Sequence, residues 1–334
     1  MIMMMTGQKR VWYAALLGLV LTLALASSLQ AQQAYPTKPI NLLIGYAPGG
    51  VVDTSERFMA SKAEKILGQP IVVTNNGGGG SSVAAEIIAK KPTDGYNVFG
   101  GASTALIRIP QFRTVPYKPD DLIPIMHFAF PTLTPIVVQS TSPWKTFKEL
   151  VDYAKNNPGK VTYSTTGVGS PMHLGMEFVA KQEGIEWKHI PVPGAMPAFT
   201  ALLGGHVLVN AGAGESVPYI KDGTVRVLAN LAEKRVKAWP NVPTLREAGY
   251  DYYNESVFLF AVPKGTPKPI VDRLEDAFHK AMSDPEFEAV MAKVEFEGSY
   301  RNSVDTKKYL DDAYKRIGAF IDDLKISKEA EQKK

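Results

Sequence analysis

The stretch Ile40-Asn41-Leu42-Leu43-Ile44-Gly45-Tyr46-Ala47-Pro48-Gly49-Gly50-Val51-Val52-Asp53 is where the fold is first legible. Its opening five residues form a short apolar run closed by glycine and proline, the pattern of a buried strand. Over 52–67 apolar residues recur at helical spacing (Phe58, Met59, Ala63, Ile66, Leu67), and Gly68 supplies a helix stop. Between strand and helix lies a loop of small residues that lets a ligand approach the backbone. The helix start beyond it offers unpaired N–H groups and a positive dipole end, a combination that attracts anions. Tight strand–helix turns need glycine wherever they occur, so this loop alone does not decide function.

Outward from that stretch the alternation continues, with a strand over 71–73, a helix over 82–90 ended by Pro92 and a strand over 97–99. It restarts after Pro143-Trp144 with a helix over 146–156, a strand over 161–165 and a helix over 170–183. A strand over 187–190, a helix over 195–203 and a strand over 206–209 follow, and amphipathic helices are predicted over 272–282 and 306–324. Strands alternating with helices imply parallel βαβ units and sheets covered on both faces, an α/β fold. Two β-rich stretches, 136–138 and 257–262, are either core strands or the passages between lobes. Read as passages, they predict one lobe from 32–136 plus 263–334 and a second from 137–262 that includes both crossover strands.

The second lobe has its own strand–glycine–helix loop, Thr165-Thr166-Gly167-Val168-Gly169-Ser170. In open α/β sheets ligands sit outside the carboxyl ends of the strands. Two such loops, one per lobe, are expected to face each other across a cleft.

Lys9 and Arg10, an apolar run over 11–26 and the small-residue stretch ending at Ala31 read as a secretory signal peptide over 1–31. The run is shorter than the roughly 20 residues of a membrane crossing. Removing it leaves 35 basic and 33 acidic residues (37 − 2 against 33), a net +2 with no footprint for nucleic acid. The chain has no cysteine, so no disulfide staples it in an oxidising compartment.

Several chemistries fail on spacing. Gly167-Val168-Gly169 begins like a dinucleotide fingerprint, but Met172 stands where the third glycine belongs. Gly77-Gly78-Gly79-Gly80-Ser81-Ser82 lacks the lysine of a phosphate loop. There is no G-x-S-x-G elbow and no H-E-x-x-H helix, and the five histidines are scattered without metal-ligand spacing. No metal, cofactor or catalytic residue is expected.

In order along the chain, Tyr35-Pro36-Thr37-Lys38-Pro39-Ile40, Ala47-Pro48-Gly49-Gly50 with Asp53, Leu67-Gly68-Gln69-Pro70-Ile71-Val72-Val73 and Pro92-Thr93-Asp94-Gly95-Tyr96 stand in the first half. Tyr163-Ser164 with Gly167 and His173, Leu202-Leu203-Gly204-Gly205-His206-Val207, Val242-Pro243-Thr244-Leu245-Arg246-Glu247-Ala248-Gly249 and Pro263-Lys264-Gly265-Thr266-Pro267 follow. On these segments the chain resembles the Bug family, the periplasmic solute receptors of tripartite tricarboxylate transporters. The resemblance implies a two-lobed periplasmic binding protein, a type II-like "Venus flytrap" in which helices flank a mixed sheet in each lobe. It further implies a monomer that takes a di- or tricarboxylate, or an aromatic acid, to the membrane subunits of a transporter. A sensory receptor docking on a membrane kinase, or a secreted enzyme on the same scaffold, are the alternatives.

Carried onto this sequence, the resemblance places Tyr46, Ala47, Gly49, Gly50 and Asp53, with Ser103 and Thr104, in the first lobe's half of the site. Thr165, Thr166, Gly167, Ser170 and His173 make up the second half, and Ala211 and Gly212, in a stretch where the chain departs from the family, are expected at the ligand as well. Asp53 has a bland role, complementing the helix dipole, and a sharper one, accepting from a ligand hydroxyl or amine; the bland role is favoured. His173 either donates to a carboxylate or packs in the core. Where many relatives carry a bulky-polar pair, Asn210-Ala211-Gly212-Ala213-Gly214-Glu215 is small. Either a wider acid fits there or other side chains fill the space.

Overall fold

A computed structural model describes residues 35–192, 195–236, 238–254, 256–293 and 295–324; the signal segment expected over 1–31 lies outside them. The chain builds two sheets. The first has strands β1 (Ile40–Ile44), β2 (Ile71–Asn75), β3 (Asn97–Ala102), β4 (Leu122–Pro131), β10 (Phe258–Pro263) and β11 (Phe296–Arg301), in the order β11-β4-β10-β3-β1-β2. The second has β5 (Pro135–Gln139), β6 (Thr162–Thr165), β7 (Lys188–Pro191), β8 (Val209–Ala211) and β9 (Val225–Asn230), in the order β7-β6-β8-β5-β9.

Each sheet holds a parallel trio plus one reversed inner strand. β1 pairs parallel with β2 and β3, while β10 runs antiparallel to both β3 and β4. β6 pairs parallel with β7 and β8, while β5 runs antiparallel to β8 and β9. These two reversed inner strands are the ones that enter a sheet from the other; β11, at the edge of the first sheet, also runs antiparallel to β4. β4 leaves the first sheet at its carboxyl edge, and the chain re-enters as β5; β9 leaves the second at its carboxyl edge, and the chain returns as β10. A strand entering at the edge where its neighbours exit must run against them. The mixed sheets and the facing carboxyl edges therefore have one origin.

The passages lie elsewhere than 136–138 and 257–262. Both of those stretches are core strands, every residue of β10 being buried, and residues 258–262 pair in the first sheet rather than ending the second lobe. Residues 135 and 136, expected in the first lobe, pair in the second sheet. A continuous apolar run marks a strand covered on both faces, whereas the first passage is the short Thr132-Leu133-Thr134. It is fastened to the end of β9: the buried Asn230 side chain accepts from the Thr134 N–H (2.9 Å) and donates to the Thr132 carbonyl (3.1 Å).

Helices cover the sheets. α1 (Val51–Leu67) and α2 (Ser82–Ala89) follow β1 and β2; the short α3 (Thr104–Ile107) and α4 (Ile109–Phe112) follow β3. α5 (Phe147–Asn156), α6 (Pro171–Glu183), α7 (Ala195–Leu203) and the short α8 (Val217–Lys221) serve the second sheet. The chain ends with α9 (Lys268–Ala281), α10 (Phe287–Lys293) and α11 (Ser303–Asp323). α11 starts on the first sheet, where the Thr306 hydroxyl accepts from the His127 N–H, and ends with Phe320 against Phe178 and Tyr252 of the second lobe. Among the described residues no helix is long and apolar enough to cross a membrane.

Candidate functional site

In the first lobe, the Gly45–Gly50 loop is held close to the segment before α2. A Cβ on Gly45 would lie 2.6 Å from the Ser81 Cβ, so only glycine lets these two turns meet. Ser81 is fully buried, has a left-handed backbone (φ 72°) and hydrogen-bonds the Tyr46 phenol. Tyr46 is half-buried; Ala47, Gly49 and Gly50 are exposed. Gly50 begins α1 with no side-chain cap, which leaves its first N–H groups free to meet an anion.

Asp53 is committed elsewhere. Only 3% exposed, it accepts from the Gly49 N–H (2.9 Å), Arg57 Nε (2.8 Å) and Asn75 Nδ2 (2.7 Å). Burial pushes its carboxyl up, but the bonds from Arg57, Asn75 and Gly49 outweigh it and hold the pKa below the ordinary 3.8. Its partners make it the anchor of the loop, and they occupy the Gly49 N–H. Ser103 is likewise engaged: its hydroxyl accepts from the Val257 N–H at 3.1 Å, and it is fully buried.

Two charged residues that sequence reasoning passed over sit beside these groups. Glu56 is wholly buried, packed where a Cβ on Gly100 would have to go, and neither carboxyl oxygen has a hydrogen-bond partner. Burial, with the Asp53 charge adding to it, raises its pKa well above the ordinary 4.5. Arg108, 1% exposed between α3 and α4, donates from one terminal nitrogen to Thr104 Oγ1 (3.2 Å) and Ser256 Oγ (2.8 Å), while its buried Nε has no partner. Both residues act on the Tyr46 phenol. Burial lifts that phenol's pKa first, the Ser81 bond lowers it, Glu56 raises it and Arg108 lowers it.

The sequence did carry a signal for each. Glu56 stands on the α1 face that buries Val52, Met59, Ala60 and Ala63, and Arg108 interrupts the apolar run Ala105-Leu106-Ile107 before Ile109. A charge on a core face asks for a partner or a purpose.

In the second lobe the loop after β6 is internally bonded. Thr165, fully buried, exchanges hydrogen bonds with Gly167 and lies 2.7 Å from His189 Nε2 through its hydroxyl. Ser170 caps α6 by accepting from the His173 N–H at 3.2 Å. His173, 6% exposed, accepts from the Gly169 N–H at Nδ1 (3.3 Å), and its ring lies 4.3 Å from that of His189. Burial lowers its pKa to about 4, so at neutral pH the ring is uncharged, with its proton on Nε2. Thr166 and Gly167 remain half-buried at the loop.

At the end of β8, Ala211 and the following Gly212 are buried. A Cβ on Gly212 would strike the Glu215 carboxyl and the Asn210 Oδ1, so those side chains occupy the room that the small residues leave. Asn210 Oδ1 is itself buried without a partner. The two lobes touch at this level, because a Cβ on Gly169 would lie 2.8 Å from the Phe112 ring.

The comparisons fit this geometry. The model of the family described as "Tripartite tricarboxylate transporter family receptor" matches residues 56–326. The chain belongs to that family. A UPF0065 protein in the gbd 5' region of Cupriavidus necator is 38% identical over 306 residues, spanning 91% of this chain and 93% of that one. Among solved structures, the periplasmic binding protein BugD is 27% identical with a TM-score of 0.75, covering 88% of this chain and 99% of its own. R. palustris Rpa4515, solved with adipate, is 25% identical with a TM-score of 0.77 over the same shares. The Bug resemblance and the two-lobed α/β fold stand on these likenesses. The family is one of periplasmic solute receptors.

Proposed function

We propose that this receptor closes its lobes on a small organic carboxylate and delivers it to the membrane subunits of a tripartite transporter. The observation that carries the reading is the course of the chain: both passages leave and enter at carboxyl edges, which turns the loops after β1, β3, β6 and β8 toward one cleft. The ligand class is supported by what those edges carry, an uncapped helix start and hydroxyls at Tyr46 and Thr104. The adipate held by the R. palustris relative is a ligand of that class. On this reading the chain is exported to the periplasm, loses its leader near Ala31 and works as a monomer.

Four or five charge-assisted hydrogen bonds at roughly 1.5–3 kcal/mol each, less about 4 kcal/mol or more for association and lobe ordering, leave a dissociation constant near micromolar. That suits a receptor that must also let go. The enzymatic alternative has one feature to weigh, the Thr165–His189 pair at 2.7 Å. The hydroxyl is fully buried and already bonded to Gly167, which is the wrong presentation for a nucleophile. A thermal-shift screen of residues 32–334 against mono-, di- and tricarboxylic and aromatic acids tests the binding reading. At least one acid is expected to raise the melting temperature, and no response at millimolar concentration to any of them would sink it. Uptake of the responding acid by cells lacking the membrane subunits would refute the delivery step.

A further inference from the structure

Among the described residues, Arg108 is the one lysine or arginine that is almost wholly buried, and it has no counter-ion. It is 1% exposed, so solvent does not screen it, and among the described residues no carboxylate lies within ion-pairing distance. Its recorded acceptors are two neutral hydroxyls, Thr104 Oγ1 and Ser256 Oγ, and its Nε has none. Native interiors rarely leave a buried charge in that state without a reason, and a water or an anion that the site is built to receive is one such reason.

The position says where that anion comes from. Thr104 follows β3 and Ser256 precedes β10, whose Phe258 pairs with Ala102, so the guanidinium sits at the carboxyl edge of the first sheet. Tyr46, from the loop after β1, feels its field. Phe112, four residues further on, meets Gly169 of the opposite lobe. Glu56, the nearby acid that bears on the same phenol, is buried and unpaired, which disfavours its charged form and disqualifies it as the counter-ion. The two hydroxyls also lie 3.1 Å from each other and satisfy one another without the arginine, so Arg108 is not needed to hold them.

We propose that Arg108 pairs with a second carboxylate of the ligand, the first being met by the uncapped start of α1, so that the receptor selects dicarboxylates over monocarboxylates of the same chain length. This rests on the receptor reading above and narrows its substrate class. A monoacid would satisfy the helix start but leave the guanidinium unpaired against a methyl group. The planar fork of arginine suits two carboxylate oxygens, which a lysine cannot match.

The test is calorimetric titration of linear diacids of four to eight carbons and their matched monoacids, such as adipate and hexanoate, into wild type, Arg108→Gln and Arg108→Lys. Wild type should prefer its best diacid over the matched monoacid by roughly 10- to 100-fold, the range one charge-assisted contact supplies. Arg108→Gln should lose that preference while its monoacid affinity holds, and Arg108→Lys should recover part of it. The ligand-free melting temperature of Arg108→Gln should be unchanged or higher, since a buried unpaired charge is removed; a marked fall instead would make Arg108 a structural strut and overturn the proposal. Equal losses for diacid and monoacid would overturn it too, as would undiminished diacid binding. A wild type that takes monoacids but no diacid overturns this proposal and leaves the receptor reading standing. If no acid of any class binds, both fall.

Discussion

Replacing Asp53 with alanine separates a loop anchor from a ligand contact. The carboxylate is 3% exposed and receives three bonds, from the Gly49 N–H, Arg57 Nε and Asn75 Nδ2. Bonds to a charged acceptor contribute about 1.5–3 kcal/mol each, which would total roughly 5–9 kcal/mol if every donor were left dry. Two are not: the Arg57 side chain is 43% exposed and Gly49 is at the surface, so both rehydrate. That leaves Asn75 Nδ2, which keeps its bond to the Tyr46 carbonyl at 2.9 Å, and the vacated volume. A loss of about 2–4 kcal/mol follows, or roughly 4–10 °C in melting temperature for a domain of this size. The pH dependence carries the same signature. Because the folded pKa lies below the ordinary 3.8, Asp53 contributes stability above that value and loses it as pH falls through the folded pKa. Asp53→Ala should therefore show a shallower loss on the acid limb. The assay is thermal and urea unfolding at pH 7 and pH 3.5, with acid binding measured on the folded variant. An unchanged melting temperature together with weakened binding would refute the anchoring role and make Asp53 a ligand contact.

Two further substitutions probe buried titratable groups with opposite signs. For Glu56, the folded pKa is raised, so its contribution is fully present below about pH 4.5 and is lost as pH rises toward the folded value, at about 1.4 kcal/mol per pH unit; Glu56→Gln should match wild type in urea unfolding at pH 4.5 and exceed it at pH 7, and equal stabilities at both would show the carboxyl to be satisfied. For His173, the folded pKa is lowered to about 4, so the unfolded chain takes up the proton first and stability falls as pH drops from about 6.5 to 4. His173→Gln should about halve that slope, leaving the contribution of His127, whose pKa burial and the Arg301 charge lower further, to about 3; an unaltered slope would mean that the imidazole is charged in the fold.

What could be read in advance was whatever depends on local pattern. The strand–glycine–helix units around Gly45 and Gly167 were legible because a turn from strand to helix needs small residues and a periodic apolar face beyond it. β4 was not, although it is the longest strand of the first sheet. Pro124, Pro131 and His127 all speak against a central strand. The fold accommodates them by slipping register between Phe260 and Ala261, opposite Met126 and Pro124, and by giving the Pro124 carbonyl to the Ser303 hydroxyl, 179 positions away. The β11 and β9 strands lie at sheet edges, and their partners β4 and β5 are also remote in sequence. The passages lie elsewhere for a related reason: apolar β-rich runs are core strands, while the first passage is three residues held by Asn230, 96 to 98 positions later in the chain.

The site divides along the same line. Its glycines could be named because backbone geometry demands them, but the sequence gives no measure of which donors are already taken. Gly49 and Ser103, each a reasonable contact by position, prove to be satisfied internally, the first by Asp53 and the second by Val257. Among the described residues, the groups left wanting include Arg108, Glu56 and Asn210, all buried and each with at least one unpaired polar atom. They come from α3–α4, α1 and β8, three elements that the chain brings to the carboxyl edges only because each passage enters where its neighbours leave. A backbone cradle can take any carboxylate, since every member of such a fold has helix starts and turns to offer. Discrimination has to come from buried side chains whose partners the protein does not itself supply, and among the described residues Arg108 is the one lysine or arginine of that kind that is almost wholly buried. On the proposal made for Arg108, the ligand's second charge, rather than its first, is where this receptor would make its choice.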